Sequence, residues 1–179
     1  CAGCVVGSRK RIEEIKVTLD LLGGSLDPHV CFLLERGLKT IGLRVPHHNA
    51  SAMRVAEFLS AHPMVEKVNY PGLPDHPHHD RAQQLLDGFG GVLSFELRGG
   101  TEIADQFLGA LTLPAVAVSL GGCTSLIVRP AAAVHAGLSP QERIETGITD
   151  GLIRFSVGLE ETNDLLEDLE TALQAAELG

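Results

Sequence analysis

The stretch GLIRFSVGLEETNDLLEDLETAL, residues 151–173, constrains the fold more than any other, because it writes a strand and a helix back to back. Alternation sets Ile153, Phe155 and Val157 on one strand face and Leu152, Arg154 and Ser156 on the other. Leu165, Leu166, Leu169 and Leu173 then recur at helical spacing, with Glu161 and Asp164 near the positive end of the helix dipole. Such an ending demands a sheet packed on helices. It also demands an explanation of Arg154: a guanidinium at a strand centre reaches water or needs an acceptor, since removing the partner of a buried charge costs about 3–5 kcal/mol. On pattern alone, Arg154 reads as an edge-strand arginine in water.

The same two periods alternate upstream. Residues 1–7 read as a short strand, and Ile12, Ile15, Leu19 and Leu22 mark a helix from Ser8, stopped by Gly23 and Gly24. Asp27 and Pro28 supply the N-cap and first-turn proline of a second helix carrying Cys31, Leu34, Leu38 and Ile41. That pattern continues through Met53, Phe58 and Leu59 to His62 and Pro63, and Pro46 predicts a kink or two abutting helices over residues 44–48.

Strands are expected over residues 65–70, 90–97, 115–120 and 125–128. Helices are expected over residues 80–87 and through Ile103, Phe107, Leu108 and Leu111, and again after the capping-box sequence SPQE at residues 139–142. The predicted class is α/β: a small, largely antiparallel sheet with helices on one face.

Charge excludes some functions. With 23 acidic against 14 basic residues the net charge is −9, the opposite of a nucleic-acid-binding footprint. No apolar run approaches the roughly 18 residues of a membrane span and no signal-peptide pattern opens the chain, so a cytoplasmic protein without a membrane partner is expected. Cys1, Cys4, Cys31 and Cys123 are too scattered for a disulfide framework. The Cys1/Cys4 CxxC lacks the second pair of a structural zinc site, and HPHH at residues 76–79 reads as exposed histidines around a helix start capped by Asp75, so no metal site is assigned.

Catalysis is hard to build from these residues. There is no phosphate-binding glycine loop of recognised spacing and no serine in a nucleophile elbow. His135 has no nucleophile beside it in sequence and reads as a structural histidine whose hydrogen bonds are satisfied. None of Lys10, Lys16, Lys39 and Lys67 sits in the apolar context that lowers a lysine pKa for Schiff-base work. Binding is easier to build: Ser119 ends a predicted strand, Gly121 and Gly122 bring backbone amides close, and Arg154 could add a bidentate fork for a carboxylate.

Six segments in order, AGCVVGS, LDPHVCFLLERGLKTIGLRV, AEFLSAHPMVEKVNYPGLPDHPHH, GFGGVLSFEL, AVSLGGCTSLIVRPAAAVHAG and GITDGLIRFSVGLEETNDLLEDLETAL, resemble the C-terminal portion of the pyridoxal-phosphate-dependent Cys/Met metabolism enzymes. That family includes cystathionine γ-synthase, cystathionine γ-lyase, methionine γ-lyase and the homoserine-ester sulfhydrylases. The resemblance implies a fold-type I PLP-transferase-like architecture. Residues 1–45 would be the tail of the large cofactor domain with the start of a bridging helix, and residues 46–179 the C-terminal substrate-side domain.

The resemblance also implies that Arg154 binds the substrate α-carboxylate and that Ser119 and Val118 line the same pocket. Pyridoxal 5'-phosphate would be held by an N-terminal domain whose Schiff-base lysine precedes Cys1. The chain alone is therefore expected to be inactive, with no catalytic or cofactor-binding residue of its own. Its expected partners are an amino-acid substrate, that N-terminal domain, and further copies in a dimer or tetramer.

Departures from the family pattern blur the reaction. Val118 stands where many cystathionine-type members carry glutamate, which makes the pocket more apolar. Thr124 replaces a common glutamate, Ala133 and Val134 replace a common Met-Thr, and Pro46 is unusual in the bridging helix. The expected activity is γ-elimination or γ-replacement on a sulfur or homoserine-ester amino acid. The alternative is a stand-alone, non-catalytic assembly or ligand-binding domain.

Overall fold

The computed structural model describes residues 2–178, which fall into two compact units divided between Leu43 and Arg44. In the first, α1 (Arg9–Leu22) ends where Gly23 adopts φ 82°, a left-handed conformation that costs glycine little. The next helix, α2 (Pro28–Leu38), is capped as its sequence predicts: the Asp27 carboxylate accepts the His29 and Val30 amides at 2.9 and 3.2 Å. Neither helix contains a buried residue.

The strand expected over residues 1–7 is not formed by residues 2–7, and Cys1 lies outside the described residues. A lone strand has no ladder to satisfy its amides and carbonyls.

The long helix α3 (Ile41–Ala61) runs through Pro46, and the break in the helical run falls at Lys39 and Thr40, ahead of the expected 44–48. Pro46 forgoes one backbone bond. That loss is outweighed by the burial of Ser51, Ala52, Val55, Ala56 and Leu59 on the same helix.

The sheet has the order β1-β2-β5-β4-β3, built from β1 (Val65–Asn69), β2 (Val92–Leu97), β3 (Ala115–Val116), β4 (Leu126–Val128) and β5 (Leu152–Ser156). All pairs are antiparallel except β3 with β4, so the sheet is mixed but largely antiparallel. Leu93, Phe95, Leu97, Ile127, Ile153 and Phe155 fill its inner face and meet Phe107 of α5 (Gly100–Ala110) and Leu165, Leu169 and Leu173 of α7 (Thr162–Leu178). Each such side chain contributes about 1.5–3 kcal/mol on full burial.

Two boundaries differ from expectation. Successive four-residue turns (Leu73 N–H to Tyr70 O, His76 to Leu73, His79 to His76) carry the chain past Asp75, so α4 (His79–Leu85) starts after His78. Pro74 and Pro77 have no N–H to offer a helix, which suits these turns. The strand expected over 115–120 stops at Val116, because the carbonyls of residues 118 and 119 are engaged elsewhere. The SPQE box forms α6 (Pro140–Glu145) with both reciprocal capping bonds present. Among the described residues no helix is long and apolar enough to cross a membrane.

Candidate functional site

Arg154 is not at a sheet edge. β5 is the middle strand of five, and register places Arg154 between Ser94 of β2 and Val128 of β4, on the face turned away from the core. This overturns the edge-strand reading. Its Nη2 donates to the carbonyl oxygens of Val118 at 2.6 Å and Ser119 at 3.1 Å. The structure thus brings all three residues singled out in the sequence together, but through backbone oxygens rather than through the Ser119 hydroxyl. Val118 and Ser119 are themselves exposed.

Two residues on, and therefore on the same face, Ser156 is buried and its Oγ accepts the Gly121 N–H at 2.9 Å. β5 holds the 118–121 loop at two points. Gly121 carries φ 74°, which a side chain would disfavour.

The far end of that loop is fixed from the segment after β5. The Glu160 carboxylate accepts the Ser125 N–H at 2.7 Å and its hydroxyl at 2.8 Å, while Ser125 Oγ accepts the Gly158 N–H at 2.8 Å. Leu159 N–H donates to the Cys123 carbonyl at 2.8 Å. Before the loop, Asp168 of α7 accepts the amides of Thr112 and Leu113 and the Thr112 hydroxyl. Charge-assisted bonds of this kind are about twice as strong as neutral ones, so the loop is anchored on both sides of the arginine.

A cavity of about 320 Å³ opens beside Arg154 on this sheet face, with Asn69, Ser94 and His135 as its other polar walls and Val134 and Ile148 among its apolar ones. Its outer wall is the 130–151 segment, tied down by two arginines. Arg129 pairs with Asp105 at 2.9 Å and donates to the Asp150 carbonyl at 2.8 Å, and Arg143 pairs with Asp150 at 2.7 Å and donates to the Leu138 carbonyl at 2.8 Å. Two of the buried side-chain nitrogens left without a hydrogen-bond partner among the described residues, Arg154 Nε and His135 Nδ1, belong to residues lining this cavity.

His135 therefore corrects the reading of a satisfied structural histidine. The arginine's acceptors in the structure are neutral carbonyls, so its positive charge is left for an anion.

Other sequence candidates fall elsewhere. His76 Nδ1 accepts the His78 amide at 3.2 Å, His79 Nδ1 lies 2.9 Å from the Pro71 carbonyl, and burial together with His78 and His79 holds His76 below the usual 6.5. Among the described residues no group of three or more His, Cys, Asp or Glu is arranged to hold a metal ion. Cys4, Cys31 and Cys123 are exposed free thiols, and the Cys1 half of the CxxC lies outside the described residues. The sequence reading missed Asn69, Ser94 and the Glu160–Ser125 bond; alternation flags the first two only once strand register is known.

The family model for the Cys/Met metabolism PLP-dependent enzymes matches residues 1–174. The chain belongs to this family. It is 45% identical over 174 residues to cystathionine gamma-synthase 1, chloroplastic, of Arabidopsis thaliana, covering 97% of this chain and 31% of that protein. To L-methionine gamma-lyase of Pseudomonas putida it is 44% identical over 177 residues, covering 98% of this chain and 44% of the relative. Among solved structures, cystathionine gamma-lyase from Lactobacillus plantarum complexed with L-serine superimposes with a TM-score of 0.91 at 38% identity, covering 97% of this chain and 45% of that one. The chain thus spans less than half the length of these relatives, and its α/β fold is theirs.

The family is named for pyridoxal phosphate, and the residues present do not by themselves form a site for it. Lys10 and Lys16 lie on α1, Lys39 pairs on the surface with Glu35 at 3.3 Å, and Lys67 lines a different cavity beside β1. Among the described residues no lysine lines the Arg154 cavity.

Proposed function

We propose that this chain is the substrate-carboxylate side of a pyridoxal-phosphate-dependent enzyme that carries out γ-elimination or γ-replacement on a sulfur-containing or homoserine-ester amino acid. The observation that carries the reading is Arg154: a guanidinium held at the centre of a sheet, facing a cavity, with only neutral acceptors beside it. Family membership over residues 1–174 favours an enzyme over a stand-alone assembly module. In this reading Arg154 takes the substrate α-carboxylate, Ser119 and Val118 lie beside it on the loop that Arg154 and Ser156 hold in place, and orientation is what the chain supplies.

Residues 1–45 are proposed as the tail of a large cofactor-binding domain and residues 46–179 as the substrate-side domain. Lysine and cofactor contacts would come from a segment outside this chain, and copies of the whole protein would assemble as a dimer or tetramer. The reading makes the chain inactive alone. Incubated with pyridoxal phosphate and reduced with borohydride, it should keep no adduct above that of a surface lysine; a stoichiometric adduct on Lys67 would overturn the division of labour.

In the protein carrying both domains, Arg154→Lys should raise KM at least about tenfold. A single ammonium cannot reproduce the planar fork, and each charge-assisted bond is worth about 1.5–3 kcal/mol. An unchanged KM would remove the carboxylate role.

A further inference from the structure

Resting on the reading of Arg154 as the carboxylate-binding arginine, we propose that Glu160 is a positioning residue for it: by gripping Ser125, the Glu160 carboxylate sets the course of the loop whose carbonyls aim the guanidinium. The loop cannot set its own course. Among the described residues no backbone hydrogen bond joins one member of 117–124 to another, and residues 118–124 are all exposed. With Gly121 and Gly122 in it, the stretch takes its shape from whatever holds it from outside.

Those holds are few. Arg154 and Ser156 take the loop at residues 118, 119 and 121, the Leu159 amide takes it at Cys123, and Glu160 takes it at Ser125. The last is a two-oxygen clamp on one residue: Oε1 accepts the Ser125 amide at 2.7 Å and Oε2 its hydroxyl at 2.8 Å. Ser125 is 0% exposed, so without the carboxylate its donors cannot turn to water where they stand. The segment would have to move.

Glu160 is itself held by α3. His47 Nε2 lies 3.3 Å from the Glu160 carbonyl oxygen, and His48 Nδ1 lies 2.8 Å from that of Val157. At the other end of these contacts is the guanidinium, which is planar, so two carbonyls on Nη2 fix the direction of the whole fork. Nη1 makes no hydrogen bond among the described residues and is not one of the buried unpartnered nitrogens, which leaves it as the arm that a carboxylate can reach. Where the loop goes, Nη1 points.

The test uses the chain itself, nitrogen-15 NMR of its arginine side chains, and butyrate as the carboxylate probe. Held by two carbonyls, the Arg154 Nη protons should give separate signals in the unsubstituted chain, and butyrate should move them saturably. Glu160→Ala should merge those signals while the amide signals of α5 stay in place, and should weaken butyrate binding about tenfold, the contribution of one hydrogen bond to a charged group. Glu160→Gln, which keeps one acceptor for Ser125 at the same reach, should stay within about threefold of the unsubstituted chain.

If butyrate moves Arg154 in the unsubstituted chain but Glu160→Ala keeps the Nη signals separate and binds butyrate as before, the positioning role is overturned and the Arg154 reading stands. If butyrate leaves Arg154 of the unsubstituted chain unmoved, the carboxylate reading falls and takes the role of Glu160 with it. Should Glu160→Ala fail to fold, Ser125→Ala probes the same clamp by removing its hydroxyl contact. It should weaken butyrate about threefold, and an unchanged affinity with separate Nη signals would overturn the inference in the same way.

Discussion

Gly158 follows β5 at the point where three polar contacts converge, and its lack of a side chain is a packing requirement. A Cβ built there would lie 2.5 Å from the Cys123 carbonyl oxygen and 2.5 Å from the Ser125 nitrogen, besides meeting the Glu160 carboxylate. Two of the three obstacles are backbone, which cannot rotate away. Gly158→Ala should therefore destabilise the chain by about 1–3 kcal/mol, the range for overpacking, although alanine normally stabilises by restricting the unfolded chain. The expected readout is a lower urea midpoint with the slope unchanged. A midpoint equal to that of the unsubstituted chain would mean that the 123–125 segment yields, and that the Glu160–Ser125 anchor is softer than its 2.7 and 2.8 Å bonds indicate.

At the scale of elements, α6 is held by its ends rather than by its faces, since none of its residues is buried. Ser139 Oγ accepts the Glu142 amide, and the Glu142 carboxylate accepts the Ser139 hydroxyl at 2.7 Å and its amide at 2.8 Å. The Ser139 hydroxyl, and then its amide, hold the Glu142 carboxyl below its ordinary value of 4.5. A depressed carboxyl pKa stabilises the fold above the unfolded value, and that contribution disappears as pH falls through the folded one. α6 should accordingly fray below about pH 4.5 while the sheet persists, and Ser139→Ala should return the Glu142 titration, followed by carboxyl carbon NMR, toward 4.5. A titration unmoved by the substitution would show that the cap is not formed in solution.

This helix also marks what could be read from sequence. SPQE, the Asp27–Pro28 start and the alternation around Arg154 are local signals, and the structure follows each of them. The Asp75 start failed because consecutive turns compete with a cap locally, and the length of the third strand failed because an arginine 36 residues away takes the carbonyl. His135 was misread for the same reason: its cavity is assembled from β1, β2, β5 and the 130–151 segment, and nothing within ten residues of it announces that neighbourhood.

At the scale of the whole molecule, the two units differ in what holds them. Arg44–Gly179 owns a core in which Leu59, Phe95, Phe107, Ile127, Phe155 and Leu169 are fully buried. Among the described residues of the other unit, 2–43, there is none: Leu21 and Leu22 are 79% and 83% exposed, and Phe32 and Leu43 stand out in the same way. Isolated helices below about 12–15 residues are marginal in water, and α1 and α2 have 14 and 11 residues with no buried position between them. Backbone amides in α1 and α2 should then exchange with solvent at least about a hundredfold faster than those of α7, whose opening requires loss of the core.

The same exposed apolar surface should draw copies together. Light scattering should show a mass that rises with concentration, and the amides of α1 and α2 should exchange more slowly at high concentration than in dilute samples. A monodisperse monomer at high concentration, with α1 and α2 as protected as α7, would mean that these helices are stable without cover, and the proposal that residues 1–45 are the tail of a larger cofactor domain would lose its physical support.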